Sequence, residues 1–348
     1  MIARHTAAQL LAIPPQFPER LFTGEASKAE LEYRRLAAQW HPDRCGDPQA
    51  NAVFAHVRAL YEEARNRLAG GTWEAFGVKR FTARDGRCYE IRHVRRHEID
   101  AGEMLISRTA VGFVLPVSNA DLMAQAQRVL TRFPYADERM REQVEAALPS
   151  LPPAGQFETA AARVMVLSKP ADMLLLRDVL AHYGGRLDAR HVAWIISGAL
   201  NLTCYLQYAG LVHNAISPDT YFISPRRHTG ALLGGWWYAC RAGRRLLALP
   251  ARTVQYAPSD LLICKVADFR TDLELVRAMG RELLGDVTGL RLAREKAAPD
   301  AMIKWLRLPA SADAIDEYRV WQRQVLQDSF GARRFVEMAL SHSDVYQS

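Results

Sequence analysis

The stretch Gly210-Leu-Val-His-Asn-Ala-Ile-Ser-Pro-Asp-Thr-Tyr-Phe-Ile223 decides how this chain is read, because a polar, turn-rich loop there runs straight into an apolar strand. Upstream, Asp188 to Gly210 sets Val192, Ile195, Ala199, Leu202 and Leu206 in one stripe at helical spacing, which reads as a buried central helix. Downstream, a turn over Arg226 to Gly230 leads into a second strand, Ala231 to Tyr238. Trp236 and Trp237 are neighbours in that strand and should face opposite sides, one of them toward a core.

Outward from this centre, Arg87 to Ile99, Glu103 to Thr109 and Val111 to Val117 alternate or run apolar with β-branched residues and predict three successive strands. Residues 119–131 read as a helix, Ala162 to Ser168 as a strand and most of the remainder as helical, with Trp305 and Trp321 as core residues. The implied order is a small β-rich lobe over about 80–170 and a larger helical lobe over 171–348.

The first 70 residues have a different texture. Ser27 and Glu30 have capping-box spacing, and Tyr33, Leu36, Ala37 and Trp40 fall at i, i+3, i+4, i+7, with Lys28, Arg34 and Arg35 on the opposite face. Pro42 forces the helix to stop at His41. A second helix begins at Asp47 as N-cap with Pro48 in the first position, and its ladder is Phe54, Val57, Tyr61, Ala64 and Leu68. Such steps suit two antiparallel helices packed across a short loop. Gly70-Gly71 closes the unit at 1–70, 71–79 is a linker, and the short connection to Phe76 brings the modules near each other. Pro14, Pro15 and Pro18 leave little room for a helix before residue 22.

Bulk properties exclude several classes. With 348 residues, 49% of them hydrophobic, the chain can build two ordinary cores. No run approaches the roughly 18 apolar residues of a membrane span, so a cytoplasmic protein with no membrane partner is expected. Cys45, Cys88, Cys204, Cys240 and Cys264 are odd in number and lack CxxC spacing, which predicts reduced thiols and no metal. The +7 net charge modestly favours acidic partners. Lys79, Arg80, Arg84, Arg87, Arg92, Arg95 and Arg96 form a basic run without the aromatic interleaving of single-strand nucleic-acid binders, and a solvated strand face is its plainer reading.

Residues 22–68, with YRRLAAQWHPDR and then FAHVRALYEEA, resemble the J domain of DnaJ co-chaperones. The resemblance implies that Lys28, Arg34 and Arg35 dock on a DnaK-type ATPase and that His41, Pro42 and Asp43 trigger its nucleotide hydrolysis. Residues 80 to about 340 resemble a protein kinase, and more closely the kinase-like half of bacterial J-domain fusions. Val212-His-Asn-Ala-Ile-Ser-Pro-Asp-Thr220 matches the catalytic loop, Tyr256-Ala257-Pro258 the end of an activation segment, Thr271-Asp272-Leu273 the start of the next helix, and Phe330 to Phe335 the C-terminus. The implied fold class is therefore α+β, a helical J domain followed by a bilobal kinase-like domain.

The same resemblance implies that the chemistry is lost. The catalytic aspartate falls on Ala215, the loop lysine on Ser217, one metal ligand on Thr220 and the other on Gly235. The phosphate-binding lysine falls on Pro116 and its glutamate partner near Ala126. Phosphoryl transfer needs these groups around Mg·ATP, and Ala215 and Gly235 offer no side-chain oxygen. His213 and Asp272 remain as structural braces of the loop, and one of the two tryptophans is expected to plug the vacated cleft. The expected function is a non-enzymatic co-chaperone without cofactors, whose kinase-like part binds a client protein or serves as a scaffold. Alternatives from other classes are a divergent nucleotide-dependent transferase and a basic scaffold for nucleic acid.

Overall fold

The structure, a computed structural model, describes residues 5–70, 73, 77–332 and 335–346. Gly71 and Phe76 of the connection and Arg333-Arg334 of the C-terminal stretch lie outside the described residues. By contact the chain divides into two units, one reaching to Thr82 and including Gly86–His93, the other comprising Ala83–Asp85 and the chain from Val94.

In the first unit, α1 (Ala7–Leu11) is a single short helix, and α2 (Ala26–Gln39) and α3 (Ala50–Ala69) pack as a pair. Both helices start differently from what their capping residues predict. Ser27 already lies inside α2, whose cap is Glu25, and its hydroxyl turns back to the Glu25 carboxylate at 2.9 Å, so no capping box forms. Asp47 accepts from the Gln49 amide at 2.8 Å in a turn that precedes α3 and does not cap the helix itself. The buried face of α3 is Ala50, Val53, Val57, Leu60 and Ala64. It is rotated from the expected ladder because Leu10, Ile13 and Phe22 pack into the same core as α2. Phe54, Tyr61 and Leu68 are half-buried at its margins, and Tyr61 stacks on Tyr33 with centroids 4.2 Å apart. The hairpin β1 (Val78–Thr82) and β2 (Cys88–Arg92) also falls in this unit, so the contact boundary lies near residue 93, not residue 80.

A single strand over 87–99 does not form. The chain changes partners within it: the His93 amide donates to Gly77 O at 2.8 Å, and the Val94 amide donates to Ile106 O at 2.7 Å. There begins β3 (Arg95–Ile99), followed by β4 (Gly102–Ile106) and β5 (Ala110–Pro116), then α4 (Ala120–Leu130), α5 (Glu138–Val144), β6 (Gln156–Glu158) and β7 (Ala162–Ser168). The sheet is antiparallel throughout, in the order β3-β4-β5-β7-β6. Val111, Phe113 and Leu115 of β5 alternate onto one buried face, as period-2 geometry requires.

The helical part opens with β8 (Leu174–Leu175), α6 (Leu176–His182) and α7 (Ala189–Tyr208), and α7 is buried along Val192, Ile195, Ile196, Ala199, Leu202 and Leu206. After β9 (Leu211–Val212) come β10 (Tyr221–Ser224) and β11 (Thr229–Leu232), then β12 (Cys240–Arg241), α8 (Ala251–Tyr256), α9 (Ser259–Cys264), α10 (Phe269–Leu283), α11 (Asp300–Arg307) and α12 (Ala314–Val320). Gly280 lets α10 approach α7 closely, since a Cβ there would stand 2.3 Å from Ile196 Cδ1. Trp305 and Trp321 are buried together, ring centroids 4.6 Å apart. Among the described residues no helix is long and apolar enough to cross a membrane.

Candidate functional site

The first candidate is the turn between α2 and α3. The amides of Arg44 and Cys45 both donate to His41 O at 2.9 Å, and the Asp43 amide donates to His41 Nδ1 at 3.2 Å. The His41 ring lies edge-on to Phe54, centroids 5.6 Å apart. His41 is thus anchored to α3, whereas Pro42 and the 86% exposed Asp43 side chain face solvent. On α2, Lys28, Arg34 and Arg35 are all exposed around Leu31, itself 53% exposed. Lys28 pairs with Glu25 at 2.6 Å and Arg34 with Glu30 at 2.5 Å, while Arg35 is in no ion pair among the described residues.

The second candidate is the loop after β9, braced from below by α10. Asp272 in the first turn of α10 accepts from the His213 amide at 2.7 Å and from the Asn214 amide at 2.8 Å. Burial pushes its carboxyl up to about 7 against the pull of those two bonds. The His213 ring is fully buried, donates through Nε2 to Gly234 O at 3.0 Å, and is driven by desolvation down to about 3, so it stays neutral. Asn214, which sequence reasoning passed over, holds the left-handed conformation (φ 63°) and donates to Val212 O and Tyr238 O, while Thr253 Oγ1 of α8 donates to Asn214 O at 2.6 Å. Asparagine tolerates this region better than most side chains, and that was the available signal.

Around this loop the side chains are small or self-satisfied. Ala215 is buried and carries only a methyl group. Thr220 Oγ1 donates to Ala215 O at 2.7 Å and accepts from the Ser217 amide at 3.1 Å, so its proton and one lone pair are used within the loop. Gly235 has φ 80°, and a Cβ there would lie 2.8 Å from His213 Cε1, 2.9 Å from Ala215 Cβ and 3.1 Å from Thr220 Cγ2. Among the described residues no group of three or more His, Cys, Asp or Glu side chains could hold a metal ion.

The strand expected over 231–238 ends at Leu232. Gly234 and Gly235 break it, and Trp236–Tyr238 form a 3-10 turn, so the two tryptophans do not alternate across a sheet. Both are buried. Trp236 meets His213 edge-on at 4.9 Å, and Trp237 meets Phe113 of β5 at 5.0 Å. Pro116 is exposed at the end of β5 and does not line the cavity, whereas Phe113, three residues earlier and on the opposite face of the pleat, does. Ala126 is buried on α4, and the adjacent Gln125 reaches instead to Trp237 O and Ala239 O at 3.2 and 3.0 Å. A cavity of about 470 Å³ remains, and its lining includes Ala215, Gly235, Trp237, Asp100, Arg177 and Asp219.

The basic run is largely neutralised locally. Arg80 and Arg92 share Glu90 at 3.2 and 3.0 Å, Arg84 faces Glu158 at 3.5 Å, and Arg96 pairs with Glu103 on the neighbouring strand.

A five-stranded antiparallel sheet with one helix against it, followed by a helical part whose β9–β10 loop is held by a helix-borne aspartate, defines a protein-kinase-like fold for the second unit. The solved structure of vaccinia related kinase 3 is similar to it, with a TM-score of 0.51 at 15% sequence identity over 74% of this chain and 94% of that one. No protein-family model and no curated protein matches the sequence.

Proposed function

We propose that this chain is a co-chaperone of the J-domain kind, in which the first unit stimulates a DnaK-type ATPase and the kinase-like unit binds a client or scaffolds the complex without catalysing a reaction. The observation that carries the reading is the turn at residues 41–43, where an anchored His41 presents Pro42 and Asp43 to solvent between two packed helices. The exposed Leu31 amid Lys28, Arg34 and Arg35 supplies an apolar point inside a basic face. Surface pairs such as Lys28–Glu25 are weak and exchange readily for a partner's acids, so docking is transient and falls with salt.

The non-catalytic half rests on Gly235 and Ala215. Neither position carries a side-chain oxygen for magnesium, and a Cβ at Gly235 would lie 2.8 Å from His213 Cε1 and 2.9 Å from Ala215 Cβ, which supports reading the cleft as one that does not hold Mg·nucleotide. The proposed place of action is the cytoplasm, where five free cysteines are the norm.

Two binding experiments test the reading. Capture of a DnaK-type chaperone by the full chain should weaken as salt rises and vanish with Asp43→Asn; salt-independent capture that survives the substitution would refute it. The remaining cavity leaves the transferase alternative a concrete check: a ligand at 100 times its Kd stabilises by about 2.7 kcal/mol. We expect no such shift with Mg·ATP, and a shift of that size would favour the transferase.

A further inference from the structure

We propose that the segment from Arg241 to Lys265 presents a docking surface for an acidic protein segment carrying an apolar anchor. This names the kind of partner the kinase-like unit takes and rests on reading that unit as a binding module.

The surface is held by backbone pairing. The Arg244 amide donates to Arg241 O at 3.1 Å, closing a turn through Gly243 at φ 75°, which sets Arg241, Arg244 and Arg245 at one corner. The turn is fixed on both sides. Cys240 and Arg241 pair with Val212 and Leu211, while Gly243 N donates to Ala267 O at 2.8 Å, Leu246 N to Lys265 O at 2.9 Å and Ala267 N to Arg244 O at 2.9 Å. Lys265 is itself held in the left-handed region at φ 53°, a backbone conformation that side chains other than glycine rarely adopt.

Arg241, Arg244, Arg245 and Lys265 are in no ion pair among the described residues. The nearby acids Asp260 and Asp268 are both taken by Arg270, at 2.7 and 3.4 Å. Next to the cations stand Leu247, 53% exposed, and Ile263, 80% exposed, the most exposed large apolar side chain among the described residues. The Leu246–Lys265 hydrogen bond places the segments bearing them side by side. Uncompensated positive charge beside exposed aliphatic carbon is matched by carboxylates flanking a buried apolar residue. Aliphatic residues where a nucleic-acid surface would carry aromatic platforms favour a protein partner.

The test uses the full chain and a fluorescent peptide of Glu-Glu-Leu repeats, with binding read by anisotropy. The double change Arg244→Glu/Arg245→Glu should weaken binding about tenfold or more, and Ile263→Ser alone, which leaves charge untouched, should weaken it several-fold. Both sites are exposed, and melting curves that overlay the wild type show that the fold is kept. Binding unchanged by Ile263→Ser, or an oligothymidylate that binds more tightly than the peptide, overturns the proposal. Chaperone capture through Asp43 is a separate readout, so failure here and failure of the co-chaperone reading are distinguishable.

Discussion

At the scale of single residues the most informative position is Gly235. Its left-handed backbone and the three heavy atoms within 3.1 Å of a would-be Cβ make Gly235→Asp doubly unfavourable, from strain and from overpacking. It should lower stability by about 2 kcal/mol or more in a denaturant titration and should confer no phosphoryl transfer. His213 makes a different prediction. Its folded pKa near 3 lies below the ordinary value of 6.5, so its contribution is complete above pH 6.5 and is lost as pH falls toward 3. Asp272 runs the other way: raised from 3.8 to about 7, it favours the fold below pH 3.8, and that advantage is lost as pH rises through 7. His213→Gln removes one of these opposing slopes. The stability of the variant relative to wild type should therefore rise as pH falls below 6.5, by about 2 kcal/mol between pH 8 and pH 5. A flat difference between pH 5 and 8 would contradict a buried neutral His213.

At the scale of elements, the C-terminal segment ties β3 to the helical part. Arg95 Nη2 donates to Val345 O at 3.1 Å, the Leu175 amide donates to the Tyr346 hydroxyl at 3.0 Å, and His97 of β3 faces Asp178 of α6 at 3.0 Å. Tyr346 is 1% exposed, so Tyr346→Phe leaves a buried amide without its acceptor and should cost about 1–3 kcal/mol, with faster hydrogen exchange at Leu175. Little of this strap was legible in the sequence, because two residues near a chain end carry no periodicity. Long elements were readable: α7 and β7 announce themselves by apolar spacing, and the loop after β9 by its residues. The misreadings have physical causes. Strand propensity across 87–99 cannot reveal a change of hydrogen-bonding partner at His93–Val94, and a tryptophan pair reads as strand until Gly234-Gly235 breaks the pleat. Helix starts at Ala26 and Ala50 moved because local side-chain bonds at Ser27 and Asp47 satisfied other backbone or carboxylate partners.

At the scale of the whole molecule, one unit carries an exposed, anchored turn and the other a kinase-like fold with a cavity lined by Ala215, Gly235 and Trp237 together with Asp100, Arg177 and Asp219. The candidate cleft was readable down to Ala215, Thr220 and Gly235, whereas Phe113 and Gln125 emerged only from the pleat of β5 and the packing of α4. On this account the reaction under control is the partner's. The most direct measurement is the ATP hydrolysis rate of a DnaK-type chaperone with increasing amounts of the full chain, wild type against His41→Gln. The account predicts acceleration by the wild type and none by the variant, with both melting alike. Equal acceleration by the two proteins, or none by either, would contradict it.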